Sequence, residues 1–117
     1  MFKQESMYWL TGYDSFGFVF FQSLILNEDG EIILLTRAPD LRQAQNTSNI
    51  KNIIIWEDKE NSSPSELLKS ILIDLKLNEK NIGIEYDSDG LTGRNTIKLN
   101  ESLKDFANLK YKCSFNV

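Results

Sequence analysis

The chain of 117 residues contains no histidine. That absence removes Ser-His-Asp and Cys-His nucleophilic pairs, and every metal site that leans on imidazole. Zinc would have to be held by carboxylates and one thiol. The one cysteine, Cys113, excludes an intrachain disulfide and fits a reducing compartment. It falls in the apolar-polar pattern Tyr111-Lys112-Cys113-Ser114-Phe115, which reads as a small hydrophobe in a C-terminal strand. Long apolar runs are also missing. The longest, residues 16–21 and 24–26, is interrupted by Gly and polar residues and falls short of the roughly 18 residues a membrane span needs. The N-terminal Met1-Phe2-Lys3-Gln4-Glu5-Ser6 has no secretion signal, so the sequons at Asn46, Asn61 and Asn100 carry no weight. A cytoplasmic protein with no membrane partner is expected. The formal charge is -4, with Lys and Arg scattered singly among acids, whereas nucleic-acid binders cluster them against phosphates. A nucleic-acid partner is therefore not expected.

What is present suits one ordinary domain over residues 1–117. Hydrophobic residues make up 41% and charged residues 26%, close to globular averages, and the length allows one core. Residues 16–26 are rich in aromatic and β-branched side chains and predict a long strand. The turn Asn27-Glu28-Asp29-Gly30 and a second strand over 31–36 complete a hairpin. Pro39 and Asp40 open a short helix over 41–45. The apolar run Asn52–Trp56 suits a strand covered on both faces. Ser63-Pro64-Ser65-Glu66 has the form of a capping box with Pro at the first helical position, and Ser63→Ala would then cost about 1 kcal/mol. Leu67, Leu68, Ile71, Leu72 and Leu75 form the apolar face of the helix that follows. Residues 81–86 predict a strand, 99–106 a weak helix, and 110–117 an edge strand. This alternation implies an α/β fold, a mixed sheet with helices packed on its faces.

Motifs that could carry chemistry are few. Glu85-Tyr86-Asp87-Ser88-Asp89-Gly90 resembles the first half of a calcium loop, but the closing bidentate position falls on Thr96, which cannot serve; a solvated turn is the better reading. Gly90-Leu91-Thr92-Gly93-Arg94 lacks the spacing of a phosphate loop. The dense aromatic group Tyr8, Trp9, Tyr13, Phe16, Phe18, Phe20 and Phe21 reads mostly as two buried strand faces, with Phe16, Phe18, Phe20 and Gln22 on one side and Val19, Phe21 and Ser23 on the other. Tyr13 and Asp14, in the preceding loop, put an aromatic and a carboxylate beside the strand mouth, where a ligand or partner could meet them.

Tyr8-Trp9-Leu10-Thr11-Gly12-Tyr13-Asp14 resembles the Tyr-Leu-Thr-Gly-aromatic segment of the N-terminal domain in the creatinase, prolidase and aminopeptidase P family. Further matches follow in order: the Gly-turn hairpin leading to Leu34-Leu35-Thr36-Arg37, a short helix with Ala44, Ile55-Trp56-Glu57-Asp58, the Pro-opened helix, and Ile82-Gly83-Ile84-Glu85-Tyr86-Asp87. The similarity spans about residues 5–107. It implies a creatinase/prolidase N-terminal fold of ribonuclease H-like type, lacking the usual upstream helix and strand. It also implies an accessory role, because in this family the site lies in a C-terminal pita-bread domain, absent here after Val117. In the peptidases that domain holds two metals through two Asp, one His and two Glu; creatinase uses a catalytic His instead.

The resemblance therefore implies no catalytic residue, no metal ligand and no cofactor in this chain. The parent enzyme's manganese, cobalt or zinc would sit in the other domain. The implied partners are the chain's own C-terminal catalytic domain and further copies of itself, the accessory domain limiting substrate size at a neighbour's entrance. The candidate substrate-contacting residues, acting in trans, are Tyr13, Asp14, Phe18 and Phe20. Tyr13, Phe18 and Phe20 would form an aromatic wall, and Asp14 would hold a cationic substrate end. Phe20 stands where creatinase-like members place an Arg, which argues against a guanidinium substrate. Arg37 is a weaker candidate that could instead pair with Asp40. A missing sheet strand would leave an open edge, so self-association is expected. The competing reading is a free-standing α/β interaction or small-ligand module that recruits a partner through its hairpin edge. A small enzyme using carboxylates alone has no paired-acid spacing behind it.

Overall fold

The hairpin is the strongest local signal in the sequence, and it forms in the computed structural model as β1 (Ser23–Leu26) against β2 (Ile32–Arg37), antiparallel, with Leu24 opposite Leu34. The structure describes residues 1–14, 20–57, 62–86 and 88–112, with 111 and 112 described by their backbone only. The hairpin turn is built on Asn27. Its side-chain oxygen accepts from the amides of Asp29 and Glu31 at 3.1 and 2.9 Å, and its carbonyl accepts from Gly30. Gly30 sits at φ +86°, a conformation only glycine adopts without strain.

Pro39 lies in a short 3-10 turn, Ala38–Asp40, that runs into α2 (Leu41–Thr47). β3 (Asn52–Trp56) returns parallel to β2, with Arg37 opposite Trp56. After α3 (Pro64–Asp74), β4 (Asn81–Glu85) and α4 (Gly93–Leu103), β5 (Asn108–Lys112) pairs parallel to β4. The strands make two ladders, β1-β2-β3 and β4-β5.

The start of the chain stands between these ladders. Met1 exchanges two backbone bonds with Leu24, its amine donating to the Leu24 carbonyl at 2.6 Å and its own carbonyl accepting from Leu24 N–H at 2.8 Å. One residue on, the Phe2 amide donates to the Glu85 carboxylate of β4 at 3.0 Å.

Period-2 alternation sends the sheet's side chains into two separate cores. Phe21, Ile25, Ile33, Leu35 and Ile84 meet Leu68, Ile71, Leu72, Leu99 and Leu103 of α3 and α4. On the opposite face Leu24 and Leu34 meet Met7 and Tyr13, with Ala44 of α2 and Ile50. The result is a mixed α/β sandwich with helices on both faces. No helix among the described residues is long and apolar enough to cross a membrane.

Several expectations are corrected. The segment that carries the family resemblance belongs to a helix, α1 (Gln4–Thr11), whose C-cap Gly12 is at φ +81° and donates to the Tyr8 carbonyl. Of the long strand over 16–26, residues 16–19 lie outside the described residues; pairing covers Ser23–Leu26, and residues 20–22 lead into it without pairing. Its predicted two-faced burial holds over residues 21–25, all of them buried. The capping box does not form. Ser63 makes no side-chain cap, its hydroxyl lying 3.4 Å from Ser65 Oγ, and Glu66, instead of reaching back, points to α4 and accepts from Ser102 Oγ at 2.6 Å. Helix α4 begins well before residue 99, capped by Thr92, whose hydroxyl accepts from Asn95 N–H at 3.2 Å. Cys113 and the end of the predicted edge strand lie outside the described residues.

Candidate functional site

Phe20 and Arg37 meet at one end of the three-stranded sheet, and Tyr13 reaches the same end by its hydroxyl. Antiparallel pairing brings the entry into β1 beside the exit of β2, and parallel pairing brings the exit of β3 to the same end. Gly12 brings the loop after α1 against the end of α2. A Cβ at that position would stand 2.9 Å from the Thr47 carbonyl, so glycine allows α1 and the end of α2 to approach this closely.

Tyr13, placed by the sequence in an open loop, is fully buried. Its hydroxyl lies 3.0 Å from Gln22 Oε1 and 3.4 Å from Thr36 Oγ1. Gln22 Nε2 donates to Gln4 Oε1 at 3.2 Å, and Gln4 Nε2 donates to the Tyr13 carbonyl at 2.7 Å. Gln4, Tyr13, Gln22 and Thr36 thus close a ring of polar groups that ties α1 and its loop to β2 and the entry of β1. Tyr13 is therefore a core residue of this fold, with its ring turned inward from the surface it was expected to line. Buried polar groups are tolerated when each finds a partner.

Asp14 is exposed. Its amide donates to Thr47 Oγ1 at 3.0 Å, which fixes the backbone while leaving the carboxylate toward solvent. Phe20 is 40% exposed and lies under Arg37, whose guanidinium carbon is 3.5 Å from the ring centroid. Arg37 Nε also stands 3.5 Å from Asp40 Oδ2, so the local ion pair weighed against a ligand role does form. The guanidinium is held between a ring and a carboxylate, a geometry that restrains its rotamers. Trp56, opposite Arg37 in the ladder, donates from Nε1 to the Phe21 carbonyl at 2.8 Å and so ties the residue after Phe20 to β3. Phe18 lies outside the described residues.

A second polar centre went unread in the sequence. Glu85 is completely buried. One carboxylate oxygen accepts from the amides of Phe2 and Lys3 at 3.0 and 3.2 Å, and the other from Ser6 Oγ at 2.6 Å. A carboxylate at the start of α1 satisfies helix-end donors and matches the positive end of the helix dipole. The residue taken as the first member of a half calcium loop is therefore spent on holding α1 to β4. Gln22 stood out in the sequence as a long polar side chain inside an apolar strand, a usable flag for a buried network. Glu85 carried no such flag, because its partners are some eighty positions away.

Among the described residues no group of three or more His, Cys, Asp or Glu could hold a metal ion. The geometry defines a helix-sheet-helix domain with a polar seam at one sheet end and, beside it, a mostly buried cation-carboxylate pair against the partly exposed ring of Phe20. A family model, the creatinase/prolidase N-terminal domain, matches residues 1–112. The chain belongs to that family. Among solved structures it is similar to a dipeptidase from Pyrococcus horikoshii OT3, with a TM-score of 0.66 at 20% identity over 94% of this chain. The match spans 28% of the dipeptidase chain, and at that identity it speaks for the fold. No curated protein sequence matches.

Proposed function

We propose that this chain is the non-catalytic N-terminal domain of a Xaa-Pro peptidase or creatinase-like hydrolase, paired with a C-terminal pita-bread catalytic domain, and that it serves oligomerisation and shapes the substrate entrance. Family membership and the dipeptidase's shared fold support an accessory domain. The observation that carries the entrance role is the sheet end itself. Phe20 reaches solvent there and Asp14 does so beside the end of α2, with the buried Gln4-Tyr13-Gln22-Thr36 ring fixing the backbone between them. Groups that meet a substrate held by another domain need this kind of rigid support. In this reading Phe20 and Arg37 offer an apolar edge and a restrained cation, Asp14 offers an anion, and Tyr13 acts from behind as a positioning residue.

The test joins the chain to its catalytic domain and measures hydrolysis of a proline dipeptide with manganese or cobalt, with the isolated chain assayed alongside. The isolated chain is expected to be inactive. Asp14→Ala and Phe20→Ala in the joined enzyme should each lower kcat/KM about tenfold, the worth of one contact of about 1.4 kcal/mol. Unchanged kcat/KM in both variants would remove the entrance role, and turnover by the isolated chain would remove the accessory reading altogether.

A further inference from the structure

Two outer strand edges lie open among the described residues: β3 is bonded to β2 alone and β5 to β4 alone. Open edges are templates for a further strand, and folds guard them with charge, proline or a bulge. β5 is guarded in this way, because Lys110 at its middle is exposed. β3 carries none of these devices. Asn52–Trp56 holds no charge and no proline, and its residues match Ile33–Arg37 one for one, so no bulge turns the edge aside. Ile53, Ile54 and Ile55 stay partly exposed along it.

The charges stand just beyond the two ends, exposed Lys51 before β3 and exposed Glu57 after it. Their spacing is self-complementary. Let two copies of β3 run antiparallel about a two-fold axis at Ile54. Ile54 then meets its own copy, Ile53 meets Ile55 of the second copy, and Lys51 meets Glu57 of the second copy at both ends. The faces agree as well. Ile54 packs with the α3/α4 core and Ile53 with the α1/α2 core, and alternation along the strand lets each meet a side chain of its own layer. Sliding one copy by two residues in either direction sets Lys51 or Glu57 against an isoleucine. A slide of one residue sets the two layers against each other. The same operation on β5 sets Lys110 against its own copy, a like-charge contact.

We propose that β3 is a self-pairing edge through which two copies of this chain join antiparallel, their β1-β2-β3 ladders becoming one continuous sheet. This gives a surface and a register to the oligomerisation proposed above, and it rests on that reading. Main-chain bonds and the facing isoleucines supply the affinity, and the Lys51–Glu57 contacts at the two ends fix the register. Five residues a side fall short of the roughly twenty to thirty of a standard interface, so the isolated chain pairs weakly.

Sedimentation equilibrium of the whole chain, at up to about 1 mM, should show monomer and dimer in exchange. As the dimer fills, alternate amides within residues 52–56 should gain protection from hydrogen exchange, while Gly30 in the hairpin turn stays unchanged. Lys51→Glu and Glu57→Lys each set like charges together at both ends and should weaken dimerisation about tenfold. Both positions are exposed, so the fold is kept. Mixing the two variants in equal amounts should restore pairing, because every end of the mixed dimer then joins opposite charges. A chain that stays monomeric at about 1 mM overturns the edge pairing and, for this chain by itself, the oligomerising role as well. A dimer that ignores both charge reversals, or leaves the amides of 52–56 in exchange, overturns the edge pairing alone, and oligomerisation then runs through another surface. Weakening that mixing does not reverse also overturns it, because the register at Ile54 is then wrong.

Discussion

The two helical layers hold the strands between them by different chemistry. On the α3/α4 side the join is almost wholly apolar: leucines and isoleucines from both helices meet Ile25, Ile33, Leu35 and Ile84, with Phe2 and Phe21 edge to face at 5.4 Å. On the α1/α2 side a smaller apolar cluster is bordered by two buried polar centres, the Glu85 carboxylate at the start of α1 and the Gln4-Tyr13-Gln22-Thr36 ring at its end. Apolar packing tolerates small slides and rotamer changes, whereas hydrogen bonds fix direction to within tenths of an ångström. The polar layer is also the one from which Asp14 emerges. The contrast suggests a division of labour in which one layer supplies most of the cohesion and the other fixes the position of α1 and the loop that follows.

Breaking the polar layer at Glu85 should have the largest effect. Glu85→Ala leaves two backbone amides and the Ser6 hydroxyl buried without an acceptor, at a cost of about 4 kcal/mol in the unfolding free energy extrapolated from urea to water. Leu99→Ala on the apolar side, at a site with no exposure, should cost about 3 kcal/mol through its cavity. The two losses are similar in size but differ in kind. Amide exchange in α1 should rise to the solvent rate in Glu85→Ala and stay protected in Leu99→Ala. Equal protection in both variants would show that the layers are not distinct.

The same corner predicts a pH dependence. Burial lowers the Met1 amine from 8.0 to about 6, partly opposed by the nearby Glu85 charge. The folded state therefore binds this proton less well than the unfolded state. Below pH 6 both states carry the proton and the burial penalty is fully present; above pH 8 neither does, and the penalty is gone. Stability should rise between pH 6 and 8 by about 2 to 3 kcal/mol. With no histidine in the chain, no imidazole obscures that window. Urea denaturation at pH 5.5 and 8.5 checks it. An N-acetylated chain, which keeps the donor to Leu24 but cannot ionise, should lose the slope.

Legibility in the sequence follows the same division. The hairpin, the Asn52–Trp56 strand and the apolar face of α3 were readable because their signals are local: a turn glycine, an unbroken apolar run, leucines at helical spacing. The return half of the capping box is lost to Ser102, thirty-six positions from Glu66, a partner no local pattern reports. Helix α1 went unread because Met7, Tyr8 and Trp9 suit a strand as well as a helix, and Tyr8 and Trp9 are exposed, so its periodicity is faint. Tyr13 was assigned to a surface for a related reason. A loop residue beside Gly and Asp looks solvated until Gln22 and Thr36 are seen to meet its hydroxyl.

Gly12 is where α1 touches α2, and it probes the polar layer by geometry. Gly12→Ala combines a left-handed φ of +81° with a Cβ 2.9 Å from the Thr47 carbonyl, a backbone atom that cannot swing aside. The cost should be about 2 kcal/mol. The shift should also break the Asp14 amide bond to Thr47 Oγ1, visible as a downfield-to-random-coil move of the Asp14 amide resonance. Loss of stability with the Asp14 resonance unmoved would mean that α2 yields and the loop does not.

The smallest effect isolates one bond of the ring. Tyr13→Phe keeps the aromatic volume in the α1/α2 core and deletes only the hydroxyl that lies between Gln22 Oε1 and Thr36 Oγ1. Those two groups remain 3.4 Å apart and can still bond to each other, so neither is stranded. The loss should be about 1 kcal/mol, that of one neutral buried hydrogen bond. If the ring acts as a unit, Tyr13→Phe and Gln22→Leu together should cost measurably less than the sum of the two single changes, because the second removes a partner the first has already released. Strict additivity would make Tyr13 an ordinary core aromatic, and the rigidity behind Asp14 and Phe20 would have to come from Gly12 and Trp56 alone.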